Sequence, residues 1–192
     1  MTLIGITGGI GSGKSVVSRI LRLRGDSVYD CDLEAKRIMD ESEEVLTALN
    51  GRFGDEVCPA GGPINRKELS RHVFGSDEHR LWLNSLVHRL VREDIILWRN
   101  QLEKSGASTV FVESAILATS GLTAMCDEIW IVTAPEEQRI ERVKGRDGLD
   151  EGHIRKRIQS QEEEERLVLA SEIPVRRIDN GNNASLLQNF EF

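Results

Sequence analysis

The chain has 192 residues, enough for one sizeable core with insertions and too few for two large domains. Its 39% hydrophobic and 30% charged residues are ordinary for a globular protein, and a net charge of −7 argues against nonspecific nucleic-acid binding, which asks for a basic face. No apolar stretch approaches the roughly 18 residues that span a bilayer, and the short apolar start has no leader pattern. Cys31, Cys58 and Cys126 are widely spaced with no C-x-x-C pair, so reduced thiols in a cytoplasmic protein are expected.

Leu3-Ile4-Gly5-Ile6-Thr7 reads as a buried strand. It runs into Gly8-Gly9-Ile10-Gly11-Ser12-Gly13-Lys14-Ser15, which fits the phosphate-loop pattern G-x-x-x-x-G-K-[ST]. The helix that follows is expected over residues 14–24, with Gly25 at its C-terminal cap. Gly8, Gly9, Gly11 and Gly13 can take positive φ and have no Cβ to block close approach, so successive N–H groups can turn toward an anion. The helix start adds its dipole, Lys14 a charge for the β/γ-phosphates, and Ser15 a hydroxyl for Mg²⁺. The expected ligand is a nucleoside triphosphate.

Ser27-Val28-Tyr29 is a second short strand, so the chain up to Tyr29 makes a βαβ unit and predicts an α/β fold with a parallel sheet. Ligands of such sheets gather beyond the carboxyl ends of the strands, where Asp30 and Asp32 emerge. If residues 30–32 remain extended, the two carboxylates share a face, and one can accept the proton of an attacking hydroxyl or help hold Mg²⁺. Asp32 is the better placed. The other reading makes both solvated turn residues, or makes Asp32 the N-cap of a helix from Leu33.

From 33 to about 106 no core strand is evident. Helices are expected over 33–39 and 43–53, then from Asn65 as cap over 66–74, with a turn over 59–63. Leu81, Trp82, Leu86, Leu90, Ile95, Leu97 and Trp98 predict one long helix or two over 78–103. Trp82 and Trp98 read as core, or as a surface for stacking a base. This helical stretch is a substrate-gripping insertion or a plain packing layer, and His88 on it is structural or functional.

Thr109-Val110-Phe111-Val112 is a third strand ending at Glu113, whose carboxylate either orders the water shell of Mg²⁺ or faces solvent. A fourth strand follows over 128–133, with Pro135 at the first turn of the next helix. That helix carries Arg139, Arg142 and Arg146, and helical pattern resumes over 153–161. Arginines on a mobile helical hairpin beside the loop can neutralise charge during transfer, or simply solvate the surface, as the run Glu162 to Glu165 suggests for part of it. Val175-Arg176-Arg177-Ile178 is a last strand, 179–182 a turn and 184–190 a closing helix.

Together these pieces resemble the dephospho-coenzyme A kinase family along nearly the whole chain. They are Thr7 to Ser15, Asp30-x-Asp32, Leu86-x-His88, Arg142-x-x-x-Arg146-Asp147, Gln161 and Ile178-Asp179-Asn180, in that order. The resemblance implies a three-layer P-loop kinase fold with a nucleotide core of about 1–32, 107–138 and 174–192, a helical substrate-binding insertion of about 33–106 and a helical lid of about 139–173. It implies transfer of the ATP γ-phosphate to the ribose 3′-hydroxyl of dephospho-coenzyme A with Mg²⁺. With the charge, hydropathy and cysteine usage above, the expectation is a cytoplasmic protein without nucleic-acid or membrane partners, a monomer rather than a stable oligomer. By position, Asp32 matches the general base, and Lys14 and Ser15 match the phosphate and metal ligands. Gly9, Ile10, Gly11, Ser12, Gly13, Val16 and Asn180 join them at ATP, His88 and Glu113 join Asp32 at the acceptor, and Arg142 and Arg146 match lid arginines.

The chain departs from the family pattern at Val16, where many members have threonine, and at Arg89, where a proline often follows the histidine. Glu113-Ser114-Ala115-Ile116-Leu117 stands where many have Asp-x-Pro-Leu-Leu. Two other readings stay open, a kinase of another small metabolite such as a nucleoside or nucleoside monophosphate, and a nucleotide-dependent switch. The guanine-reading sequence N-K-x-D and the switch sequence D-x-x-G are both absent.

Overall fold

The structure, a computed structural model, describes residues 1–60, 62–182, 184 and 186–190. It divides into a sheet unit, Met1–Asp30 with Leu102–Phe192, and a helical unit, Cys31–Gln101.

In the sheet unit, β1 (Thr2–Thr7), β2 (Val28–Asp30), β3 (Thr109–Glu113), β4 (Glu128–Thr133) and β5 (Val175–Asp179) form one parallel sheet in the order β2-β3-β1-β4-β5. The fold is three-layer α/β, as expected. β1 is central and buried from Leu3 through Thr7, on both faces of the sheet, which is why its sequence reads as a continuous apolar run rather than an alternation. Ile4 and Ile6 pack with Val17 and Leu21 of α1 (Lys14–Arg24), Phe111 and Trp130 on one face. On the other face Gly5 leaves room for Leu117 and Cys126, since a Cβ would lie 2.7 Å from one and 2.9 Å from the other. The three cysteines are buried and form no disulfide with one another.

The helical unit contains α2 (Cys31–Glu41), α3 (Glu43–Phe53), α4 (Arg66–Phe74) and most of α5 (Asp77–Lys104). Ser42 caps α3 by accepting from the Val45 N–H, and Asn65 caps α4 by accepting from that of Glu68, as its position predicts. α5 is a single helix of 28 residues, about 42 Å long. Its buried ridge is Leu83, Val87, Val91 and Ile95, every fourth residue, whereas Leu81 and Leu97, two of the apolar positions that predicted the helix, are exposed. Trp82 and Trp98 are half-buried rather than core. Trp82 stands edge-on to Phe53, ring centroids 5.8 Å apart, with the Arg52 guanidinium 4.7 Å from its centroid.

After β4 the sheet unit adds α6 (Glu136–Asp147), α7 (Glu151–Ser160) and α8 (Glu162–Ala170). α6 and α7 enclose a small core of Ile140, Val143, Ile154 and Ile158, against which Ile10 packs. The expected closing helix is a 3₁₀ turn, Leu186–Asn189; Ser185 of that stretch, and Gly61 of the turn over 59–63, lie outside the described residues. Among the described residues no helix is long and apolar enough to cross a membrane.

Candidate active site

The carboxyl end of β1 is flanked by β3 and β4, and from it Gly8 to Gly13 loop back to open α1. Gly13 takes φ +96° at the N-cap, without a side-chain cap to occupy the helix start. Its lack of a Cβ also matters, because a Cβ there would collide with the Asn180 amide. Gly11, at φ +74°, gives the second close approach, a Cβ there falling 2.9 Å from Arg139 Cα. Gly8 also has positive φ, but Gly9 does not, contrary to expectation. Gly9 is needed for space, since a Cβ would run into the Arg139 guanidinium.

Lys14 Nζ donates to the Gly8 carbonyl at 2.6 Å, bending its ammonium back across the loop. Ser15 and Val16 are exposed in the first turn of α1. Among the described residues, buried Thr7 Oγ1, Ser12 Oγ and Glu113 Oε2 find no hydrogen-bond partner, which is uncommon away from a site built for a polar ligand.

Side chains from distant segments hold the loop. Asn180, just past β5, donates through Nδ2 to the Ser12 carbonyl at 2.8 Å. Arg142 donates to the carbonyls of Gly11 (3.4 Å) and Asn180 (2.8 Å) and to Asn182 Oδ1 (3.3 Å), tying α6, loop and β5 turn together. Ile10 is gripped at both polar groups, its carbonyl accepting from Arg139 Nε at 2.9 Å and its N–H donating to Gln161 Oε1 at 2.6 Å. Arg146, by contrast, is exposed and engaged bidentately by Asp147 at 2.7 and 2.9 Å.

On the other side of β1, strand register sets Glu113 beside Ile6 and Asp30 beside Glu113. Burial pushes the Glu113 carboxyl above the usual range, and Asp30 adds to this, while Ser18, Lys14 and Arg22 oppose it. Asp30 ends β2, but α2 begins at Cys31, so residues 30–32 are not extended and the two aspartates do not share a strand face. Neither does Asp32 cap a helix from Leu33; it lies inside the first turn of α2, exposed, where a carboxylate suits the helix dipole. His88, also of the helical unit, is half-buried on α5, and burial together with the Arg92 charge lowers its pKa.

The sheet unit thus brings together Gly9 to Val16, Asn180 and Arg142, with Glu113 beyond them on the strand next to β1, and leaves Arg146 apart; Asp32 and His88 belong to the helical unit. Sequence reasoning did not place Arg139 or Gln161 on the loop. It also read Glu162 to Glu165 as a solvated run, yet Glu164 is buried and accepts from the N–H groups of Ala118 and Thr119 and from the Thr119 hydroxyl. The signal was there, because Glu164 lies one turn before the buried Val168.

Comparison with known proteins follows the same lines. The family described as dephospho-CoA kinase matches residues 2–185. The dephospho-CoA kinase of Porphyromonas gingivalis is 42% identical over 170 residues, covering 88% of this chain and 82% of that protein. That of Dehalococcoides mccartyi is 37% identical, covering 89% and 86%. The crystal structure of TT1252 from Thermus thermophilus superposes with a TM-score of 0.74 at 32% identity, covering 97% of this chain and 92% of that one. A Campylobacter jejuni dephospho-CoA kinase structure, at 24% identity and a TM-score of 0.67, covers 94% of this chain and 89% of that one and shares the fold.

Proposed function

The chain belongs to the dephospho-CoA kinase family, and we propose that its phosphate loop, Asp32, and Arg142 and Arg146 of α6 carry the activity of that family. The activity is ATP-dependent transfer of the γ-phosphate to the ribose 3′-hydroxyl of dephospho-CoA, giving CoA and ADP in the last step of coenzyme A biosynthesis. The observation that carries this reading is the loop itself. Two close glycine approaches and a helix start without a side-chain cap leave a backbone cradle, into which Lys14 bends.

In this reading Gly9 to Val16 bind the triphosphate, and Lys14 exchanges the Gly8 carbonyl for β/γ-phosphate oxygens. Asn180, already bonded to the Ser12 carbonyl, brings the turn after β5 to the adenine. Asp32 takes the proton of the 3′-hydroxyl as its oxygen attacks the γ-phosphorus, and the bond to the β,γ-bridging oxygen breaks with ADP as leaving group. Arg142 and Arg146 neutralise the charge on the group in flight, Arg146 after releasing Asp147. His88 and Glu113 serve the acceptor side. The residues suit Mg²⁺: Ser15 offers an exposed hydroxyl at the start of α1, and Glu113 Oε2, buried and without a partner beside Asp30, is a ready acceptor for metal-bound water. When bound with ATP, the ion supplies charge neutralisation on the phosphates.

The division of labour follows the chain: a nucleotide core of about 1–32, 107–138 and 174–192, a substrate-binding insertion of about 33–106 and a lid of about 139–173. The enzyme acts as a cytoplasmic monomer on small molecules, without nucleic acid. The test is ADP release from ATP, with and without Mg²⁺, in the presence of dephospho-CoA, adenosine, AMP or no acceptor, with product mass checked for one added phosphate. Phosphorylation of dephospho-CoA alone, and only with Mg²⁺, is expected. Preference for another acceptor, or ADP without one, overturns the substrate assignment.

A further inference from the structure

The chemistry above leaves one cation of the loop without a role. Arg139 is held against the loop at three points. Its Nε donates to the Ile10 carbonyl at 2.9 Å, its backbone lies close on Gly11, and its guanidinium covers Gly9. One of its N–H groups is spent on Ile10. Among the described residues no carboxylate stands within ion-pair distance of it, and Glu136, Glu165 and Glu162 act only from further away. Arg142, one turn along α6, is different, since its guanidinium is already committed to three oxygens. A half-buried guanidinium with unspent donors is costly unless an anion joins it, and burial lowers the Arg139 pKa accordingly.

The two limbs of the loop are held by different groups. Asn180 and Arg142 hold Gly11 to Gly13, through the carbonyls of Ser12 and Gly11. Lys14 Nζ and the Arg139 guanidinium stand on Gly8 and Gly9, where the lysine of this motif meets the β/γ-phosphates. We propose that Arg139 is a further phosphate-binding residue, which contacts the γ-phosphate of ATP from the Gly9 side and stabilises the charge that develops there during transfer. The proposal rests on the loop being the ATP site and is independent of which acceptor the enzyme uses.

Calorimetric titration of the full chain with ADP and with a non-hydrolysable ATP analogue, both with Mg²⁺ and no acceptor, tests it alongside turnover with dephospho-CoA. In Arg139→Gln the analogue is expected to bind about tenfold more weakly, while ADP changes less than about twofold, and kcat falls about a hundredfold. Arg139→Lys, which keeps the charge but not the planar fork, should show a smaller loss of the same kind. Equal losses for both nucleotides would make Arg139 a brace for the loop, and no loss would make it a surface residue; either overturns the proposal. If Arg139→Gln does not fold, as judged by circular dichroism, Arg139→Lys decides by the same ATP-against-ADP difference. A wild-type chain that binds the analogue but phosphorylates another acceptor sinks the substrate assignment and leaves Arg139 standing. One that binds neither nucleotide sinks the loop reading and the proposal together.

Discussion

The neighbourhood of the phosphate loop and the helical unit use charge in opposite ways. Around the loop, polar side chains reach across more than a hundred residues of sequence to backbone groups: Gln161 and Arg139 to Ile10, Arg142 to Gly11, Asn180 to Ser12. In the helical unit the ion pairs lie at the surface, partly or fully exposed. Some join neighbours on one helix, as in Arg71–Glu68 and Arg89–Glu93, and some join helices, as in Arg66–Asp40 and Arg37–Asp94. Exposed pairs of this kind are worth about 0–1 kcal/mol each, whereas stranding a buried partner costs about 1–3 kcal/mol. The loop is therefore positioned by polar contacts that it cannot lose cheaply. The helical unit is positioned by apolar ridges such as Leu83, Val87, Val91 and Ile95, and its surface charges are replaceable.

Asp32 should break that pattern, with the largest effect of all. It is an exposed charge of the helical unit, yet in its proposed role as general base its replacement by Asn should lower kcat by about 10²- to 10⁴-fold, with ATP affinity nearly unchanged in direct titration. Weakened ATP binding with normal turnover would return Asp32 to the replaceable charges.

Much of this organisation is legible in the sequence, and the failures have physical reasons. The strands are short apolar runs with clear punctuation, so all five fall where expected, and Asn65 announces α4 through its capping position. The passage from Asp30 to Asp32 misleads because nothing local marks a turn between strand and helix; α2 simply starts at the next residue. α5 misleads in its register because apolar residues occur around much of its circumference, and only packing selects the ridge through Leu83 and Val87 over Leu81 and Leu97. Arg139 and Gln161 were hidden for a third reason. Their partners are backbone groups of a remote segment, which leave no side-chain signature in the sequence.

Glu164 and Arg66 sharpen the comparison on the stability scale. Glu164→Gln keeps the shape but turns an NH₂ toward donors that now bond an acceptor, at Ala118 N or at Thr119 N and Oγ1. A loss of about 1–3 kcal/mol is expected in urea unfolding, with ADP affinity as a second reading of how far the loop depends on α8. Arg66→Gln removes an ion pair with Asp40, in which Nη2 reaches both carboxylate oxygens at 2.6 and 2.8 Å, that lies open to solvent. It should change stability by no more than about 0.5 kcal/mol. Equal costs for the two substitutions would erase the distinction between the regions.

The smallest expected effect is at His88, the helical unit's desolvated imidazole. Burial first, and the Arg92 charge second, lower its pKa in the folded chain below the ordinary value near 6.5. Above that value His88 is neutral folded or unfolded and contributes nothing to the pH dependence. As the pH falls through it, the unfolded chain takes up the proton before the folded chain does, so stability declines toward acid, and the slope vanishes once the folded form is protonated too. The decline should be modest, because the residue is only partly buried. His88→Gln should flatten it, seen as a smaller difference between wild-type and variant midpoints at pH 5 than at pH 8 if Gln costs some packing. A wild-type stability that rises toward acid relative to the variant would mean that His88 gains a partner for its charged form. In that case its place on α5 would be closer in kind to the gripped residues of the loop than to the exposed pairs around it.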